Sequence, residues 1–249
     1  MTRVLIVGES WVVQTTHIKG VDHFTATAYE EGVEWLRAAL EAGGCSVTHL
    51  PSHLVAASFP DAAGLSSFDV VVLSDIGADS ILLHPATLAR SERTPDRLAA
   101  LCDFVGAGGG LAMIGGWMSF SGYEGRAGFG RTALAEALPV TLLDGDDRVE
   151  RPDGVTPVVA ADGFKHPVLD GVDAAWPWFL GYNRVVARPE AQVLLSCGDD
   201  PFLAVGTFGS GRTLAFASDC APHWAPPGFL EWSSHDRFWG QAVGWLSGS

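Results

Sequence analysis

Short apolar runs alternate with segments of helical periodicity along the first half of the chain. The runs lie at residues 4–7, 45–50, 68–74 and 111–114. Several are apolar at consecutive positions, as expected for strands covered on both faces. Between them, apolar residues recur every three to four positions, as in helices that pack on a sheet. This alternation predicts a three-layer α/β sandwich with a mostly parallel central sheet in flavodoxin-like order.

Capping residues predict where two of the helices begin. Thr27 with Glu30 three positions later forms a capping box, so a first helix should start there and bury Tyr29. Thr94 followed by Pro95 is typical of an N-cap with proline at the first helical position. Both helices should then deliver the chain into the next buried strand.

The connection between the first strand and that first helix is long, spanning about residues 11–25. Connections of this kind usually take two to six residues, and longer ones tend to be functional or disordered. The aromatic and charged side chains favour function. We therefore expect this loop to cover the ligand end of the sheet, with His17 as a ligand-binding residue, or to cross to a neighbouring subunit.

The pattern changes in the second half of the chain. Residues 139–190 are rich in turn residues and short β-like runs, which predicts a β-rich insertion within a single domain spanning 1–249. Regular strands resume at 192–196, 202–208 and 212–217. Ser233 or Ser234 should cap a final helix.

Charge and composition exclude several classes of partner. The net charge is −14, with only 15 Lys and Arg residues, which argues against nucleic acid or an anionic membrane surface. The printed sequence has no apolar stretch of about 20 residues, so a cytoplasmic protein acting on a small polar molecule is expected. The four cysteines form no Cys-x-x-Cys pair, and no metal or cofactor is predicted. Aromatic residues in the insertion favour a homo-oligomer.

Acidic side chains follow the predicted strands. Glu9 and Asp75 come after the first and third strands, and Asp219 follows the last one. Ligands of open α/β sheets bind beyond the carboxyl ends of the strands, so these acids are candidates to share a proton or a divalent metal with a histidine. Each one alone is more readily explained as the cap of a turn or helix.

The strand at 111–114 runs from three glycines into a glycine turn that organises the predicted site. Gly115 and Gly116 end the strand, and their N–H groups could form an anion-binding nest. Trp117 and Ser119 follow as ligand-binding candidates. The turn has no cysteine or histidine, and its hydroxyl does not match a Gly-x-Ser-x-Gly elbow.

Cys220 is the most informative thiol, because it follows the last strand with His223 three residues later. A neighbouring imidazole can lower the pKa of a thiol and make it a nucleophile. The alternative is that Cys220 is a small buried side chain that fills the core.

Four motifs carry a resemblance to a known family. They are Gly-Gly-Gly-Leu at 108–111, His-Pro-Val-Leu-Asp-Gly at 166–171, Gly-Ser-Gly-Arg at 209–212 and Ser-Asp-Cys-Ala-Pro-His-Trp at 218–224. In their order and spacing they resemble the class I glutamine amidotransferase-like superfamily, in a branch labelled putative glutamine amidotransferase. The resemblance implies a cysteine nucleophile at the elbow, backed by a later histidine and acid. Here Gly115 or Gly116 takes the elbow position, so glutaminase activity is not expected.

Two functions remain open from the sequence. The first is a hydrolase or transferase with Cys220 or an activated water as nucleophile, His223 as base and Asp75 or Glu9 as its partner. The second is a catalytically silent module that binds a ligand or a partner subunit on the same fold.

Overall fold

The computed structural model describes residues 1–248 and has an eight-stranded sheet at its centre. The strands are β1 Arg3–Gly8, β2 Ser10–Lys19, β3 Asp22–Glu31, β4 Ser46–Leu50, β5 Val70–Ser74, β6 Gly110–Ile114, β7 Val140–Leu142, β8 Arg148–Val155, β9 Val158–Val159, β10 Phe179–Asn183, β11 Val185–Ala187, β12 Gln192–Cys197, β13 Asp200–Phe208 and β14 Gly211–Phe216. The helices are α1 Glu34–Ala42, α2 Ser52–Ser58, α3 Ala62–Leu65, α4 Ala78–Leu82, α5 Pro85–Arg90, α6 Arg97–Gly106, α7 Pro227–Leu230 and α8 His235–Ser247.

The strand order of the central sheet is β4-β1-β5-β6-β14-β13-β12-β9. The first five strands in this order are parallel, and the last three add antiparallel pairs. The fold is therefore mixed α/β with a large, mostly parallel sheet, as the alternation of strands and helices predicted. The carboxyl ends of β1, β5, β6 and β14 lie at one edge, which positions the site.

Helices cover both faces of this sheet because its strands are apolar on both sides. Val4 and Ile6 of β1 pack in one core with α1 and α8. Leu5 and Val7 point to the other face and pack in a second core with α2, α3, α4 and α6. Alternate side chains of one strand thus serve two separate cores.

The segment at 139–190 contains strands, as expected, arranged as small antiparallel pairs. β10 pairs with β8, and β11 pairs with β7. β9 joins the edge of the main sheet through β12. These pairs bring β8 and β10 alongside the carboxyl ends of the central strands, where they add side chains to the site.

The predictions of a long loop at about residues 11–25 and of a first helix that starts at Thr27 are both wrong. Residues 10–31 form the antiparallel hairpin β2–β3, which is paired from Ser10–Glu31 to Lys19–Asp22. Thr27 and Glu30 therefore lie in a strand, Tyr29 is exposed, and α1 starts only at Glu34. β-branched residues recur through this segment, and their strand preference outweighs a local capping pattern.

The other helix starts also differ from their predicted caps. Asp96, and not Thr94, caps α6, because its carboxylate accepts the N–H groups of Leu98 and Ala99. Ser234 does precede α8, but its hydroxyl accepts from the N–H of Asp173. No helix within residues 1–248 is both long and apolar enough to span a bilayer.

Candidate functional site

Two acidic residues leave adjacent parallel strands in a strained backbone conformation. Glu9 follows β1 with φ 49°, and Asp75 follows β5 with φ 43°. Left-handed backbone costs a non-glycine residue roughly 1 to 3 kcal/mol and persists where surrounding contacts fix it. The N–H of Glu9 donates to the Ser74 carbonyl at 2.8 Å, and the N–H of Asp75 donates to the Ser119 hydroxyl at 3.1 Å. These bonds hold both acids at the sheet edge.

A crevice of about 440 Å³ opens beyond these strand ends. It is lined by Glu9, Trp11, Asp75, Trp117, Met118, Asp219, Pro222 and His223. The structure thus brings together five of the residues that the sequence singled out, namely Glu9, Asp75, Trp117, Asp219 and His223. Its walls are mainly aromatic and its floor is acidic.

Below the crevice floor lies a buried cluster centred on Glu9, which is 1% exposed. The Ser74 hydroxyl donates to the Glu9 carboxyl at 2.5 Å, and the Cys220 thiol contacts the same oxygen at 3.7 Å. Glu9, Asp219 and Cys220 each offer one ligand atom, and these three atoms lie within 4.8 Å of one another. Two oxygens and a sulfur at this spacing could hold a divalent metal such as zinc.

The carboxyls of the site bind protons more tightly than ordinary acids do. Burial and the neighbouring Asp75 raise the pKa of Glu9 to about 7, against the lowering effect of Ser74 and Cys220. Burial, Glu9 and Asp75 raise the pKa of Asp219 well above its usual value, and burial raises that of Asp75. Within residues 1–248 no Lys or Arg forms an ion pair with any of the three. Their charges are therefore uncompensated, and protonation is favoured.

The predicted pairing of Cys220 with His223 is not formed. Cys220 is fully buried, and its sulfur contacts Ser74 and Glu9. Burial and the negative charge of Glu9 and Asp219 raise the pKa of this thiol well above its usual value, which disfavours the thiolate. Its burial is compatible with the alternative that Cys220 fills the core.

His223 contacts Glu150 and two tryptophans, whereas Cys220 contacts Ser74 and Glu9. Its Nε2 lies 3.5 Å from Glu150 Oε1, and its ring makes an edge contact with Trp117 and stacks on Trp224. Burial lowers the pKa of His223, with Glu150 opposing the shift. The imidazole is thus favoured in its neutral form at the crevice wall.

The N–H groups at the glycine turn are not available as charge stabilisers. The Gly115 N–H donates to the carbonyls of Phe216 and Ser218, at 2.8 and 2.9 Å. The Gly116 N–H donates to Asn183 Oδ1 at 2.9 Å. The two N–H groups expected to bind an anion therefore donate to groups of the chain itself. One of these groups is the amide of Asn183, at the end of β10.

The turn also has no room for a side chain. A Cβ at Gly115 would lie 2.2 Å from the Ala217 carbonyl oxygen, and one at Gly116 would lie 2.7 Å from Asp75 Oδ1. Gly116 further has a φ of 147°, which L-residues rarely adopt. The Met118 N–H donates to the Asp75 carboxylate at 2.6 Å, so this acid lies against the turn where an elbow side chain would project.

Two predicted ligand-binding residues lie away from the open crevice. His17 is exposed on β2 and stacks on Phe24 with ring centroids 4.7 Å apart. It is seven residues beyond Ser10, or roughly 23 Å along the strand. Ser119 is buried, and its hydroxyl holds the backbone of Asp75 in place of acting as a nucleophile.

Glu150 on β8 is a site residue that no sequence pattern predicts. Its Oε1 accepts the indole N–H groups of Trp117 and Trp224 at 3.0 and 3.3 Å and faces His223. Arg148 stacks over the Trp117 ring at 5.1 Å. A single charged residue in β8 has no sequence pattern that distinguishes it from solvent-facing charged residues. Trp11 also lines the crevice and was not predicted, although it lies only two positions after the predicted site residue Glu9.

A buried polar network supports the turn from beneath. Asn183 Nδ2 donates to Asp147 Oδ1 at 2.8 Å. Asp147 also accepts the N–H groups of Ser121 and Gly122 at 2.8 and 2.9 Å. This network ties the β-rich segment to the turn and keeps Gly116 in its unusual conformation.

Comparison with known proteins gives consistent matches over the chain. Residues 3–248 match the model of a family described as "Putative glutamine amidotransferase" (GATase1-like). Cytoplasmic Protein STM3548 from Salmonella typhimurium is 42% identical, with a TM-score of 0.93 over 98% of each chain. Cytoplasmic Protein STM1381 from Salmonella typhimurium LT2 is 41% identical, with a TM-score of 0.94 over 98% of this chain and 99% of that one.

More distant structures share the fold alone. A ThuA-like protein from Parabacteroides merdae is 14% identical, with a TM-score of 0.56 over 99% of this chain and 90% of its own. A search of curated protein sequences returned no significant match.

Proposed function

The chain belongs to the family described as putative glutamine amidotransferase, and from that premise we propose that it is a small-molecule hydrolase or transferase whose chemistry is carried by carboxyls and not by a thiol. The elbow positions Gly115 and Gly116 have no space for a nucleophilic side chain. Cys220 is buried below the crevice floor as a thiol. A glutaminase mechanism through a cysteine nucleophile therefore has no residue to perform it.

The convergence of Glu9, Asp75 and Asp219 on one crevice, with no Lys or Arg paired to them within residues 1–248, carries this proposal. A carboxyl with a pKa of about 7 is suited to give and take a proton at neutral pH. In the proposed reaction Glu9 transfers a proton to or from an attacking water or a leaving group. Asp75 and Asp219, whose pKa values burial also raises, hold the substrate through hydrogen bonds of their protonated carboxyls.

The remaining features of the crevice favour a small, polar, uncharged or cationic substrate. Anionic groups would meet three acids and no free N–H donor at the turn. Trp11 and Trp117 offer flat apolar surfaces for the body of such a molecule. Neutral His223 could accept or donate a hydrogen bond from the opposite wall.

We also propose a flavodoxin-like order of the sheet and a cytoplasmic location. The parallel order β4-β1-β5-β6-β14 supports a flavodoxin-like arrangement of the sheet. The two Salmonella proteins carry "cytoplasmic" in their names, and this supports the same location for the present chain.

A panel of glutamine, simple amides, esters and aryl glycosides tests the proposal, with ammonia or phenol release as the measurement. Wild type should turn over at least one class, Glu9→Gln should lose roughly 100-fold or more, and Cys220→Ala should stay within about twofold. The opposite ranking, with activity lost in Cys220→Ala and kept in Glu9→Gln, would reject the carboxyl mechanism. Circular dichroism of each variant controls for folding.

A silent binding module is the second candidate, and one observation favours it. The donors of the glycine turn, which would stabilise negative charge during acyl transfer, are all used internally. Turnover of none of the panel, together with ligand-induced thermal stabilisation that Glu9→Gln abolishes, would select this candidate.

A further inference from the structure

The hairpin β2–β3, here called the arm, has an exposed surface that a binding partner could cover. Each strand has ten residues, so the arm is about 30 Å long. Every position of β3 is exposed, and on β2 the side chains of Val12 and Ile18 are 57% and 75% exposed. A two-stranded ribbon standing alone is marginally stable in water. The exposed aliphatic residues indicate a protein partner.

The two edges of the arm differ in charge. β3 carries Asp22, Glu30 and Glu31, whereas β2 has Lys19 as its one Lys, Arg, Asp or Glu residue. Proteins protect exposed strand edges with charges, prolines or bulges, and β2 has ten residues with no proline and no register shift. The β2 edge is therefore the one open to pairing.

We propose that the β2 edges of two copies of this chain pair antiparallel across a two-fold axis, so that the two arms form a four-stranded sheet. Directly opposite residues of an antiparallel pair share a face, so one residue must lie opposite its own copy, with the two-fold axis midway between them. With the axis at Thr15, Val12 lies opposite the partner's Ile18. This register brings together the two exposed aliphatic side chains of β2 and leaves no like charges opposed.

Pairing through β3 is less favourable. With the axis at Ala26, Asp22 would lie opposite the partner's Glu30, and two adjacent strands would carry six carboxylates in all. Like charges directly opposite each other destabilise a sheet. The acids of β3 thus direct association to β2.

The antiparallel pairing places each arm tip beside the root of the other arm. In the Thr15 register, the partner's Lys19 lies opposite Trp11, which lines the crevice two residues after Glu9. The ammonium group would then stand at the mouth of a crevice whose three acids lack a basic partner. This step rests on the proposed function of the crevice, and the dimer itself does not.

The oligomeric state tests the dimer without any activity measurement. Sedimentation at about 100 μM, enough to populate a dimer of micromolar Kd, should give twice the 26.3 kDa chain mass for wild type. Ile18→Asp should be monomeric. Leu88→Asp, on α5 and 67% exposed, is the matched control and should remain dimeric. A monomeric wild type, or a dimer that survives Ile18→Asp, would overturn the proposal.

A disulfide across the axis tests the register. Thr15→Cys should form a covalent dimer under mild oxidation, because directly opposite residues are within disulfide reach. Thr25→Cys, exposed on β3, should not. Both are made in Cys197→Ser, since Cys197 is more exposed than the other three native cysteines, which are buried. Equal cross-linking of the two variants would reject pairing through β2.

Discussion

The crevice floor and the arm are neighbours in sequence and opposites in structure. Glu9 is 1% exposed and strained, with its carboxyl fixed by Ser74. One residue later the chain enters a ribbon whose second strand is exposed at every position. Both regions are rich in polar side chains, so residue type does not distinguish the candidate site from the exposed arm. Burial does.

The two regions also differ in how strongly their conformations are determined. At the floor, contacts from β1, β5 and the segment after β14 converge on Glu9, and Asn183 fixes the glycine turn beside it. The arm is held by cross-strand bonds and by contacts at its root, such as the Ser10 hydroxyl accepting the N–H of Ser52. Regions with few buried contacts open at low free-energy cost.

The largest loss of stability is expected from a substitution in the glycine turn. Gly115→Ala should lower the unfolding free energy by about 4 kcal/mol or more, because its Cβ would overlap the Ala217 carbonyl oxygen. Urea denaturation measures this loss. Gly228→Ala is the control, with open space around its Cβ, and should change stability by less than about 1 kcal/mol. A mild effect at Gly115 would show that the turn is not held rigidly.

Glu9→Gln should have an intermediate effect on the free energy of unfolding, and this effect depends on pH. The folded pKa of about 7 lies above the unfolded value of 4.5, so the folded chain keeps a proton that the unfolded chain loses between these values. Wild-type stability should therefore fall as pH rises from 4.5 to 7, by about 2–3 kcal/mol from this group.

Glu9→Gln should flatten that fall and be more stable than wild type at pH 8. Denaturation midpoints of both proteins at pH 5 and pH 8 test the sign. Equal pH profiles would mean that Glu9 ionises as an ordinary carboxyl. Glu34, exposed on α1, supplies the matched control as Glu34→Gln, which should leave the profile unchanged.

The smallest effect on the single chain is expected from shortening the arm. Replacing residues 14–27 with Asn-Gly joins Val13 to Ala28 through a two-residue hairpin turn. At dilutions where both proteins are monomeric, the unfolding free energy should change by less than about 1 kcal/mol. A loss of several kcal/mol would show that the arm packs on its own body.

Much of the central sheet was predictable because buried parallel strands leave a continuous apolar signature. β1, β5 and β6 were placed within two residues, and their ends correctly located Glu9 and Asp75. The arm was missed since a capping pattern of Thr27 and Glu30 was given more weight than the β-branched content around it. Glu150 was missed because its role depends on a long-range contact between β8 and two tryptophans.

The sequence by itself determined the layered α/β fold, the edge of the sheet where acids gather and the absence of a side chain at the elbow. Only the tertiary structure decided which groups meet there. It separated Cys220 from His223, directed the Gly116 N–H to Asn183 and left three carboxyls without a basic partner. Strand periodicity is local and is therefore written in neighbouring residues, whereas protonation depends on burial and on charges from distant parts of the chain.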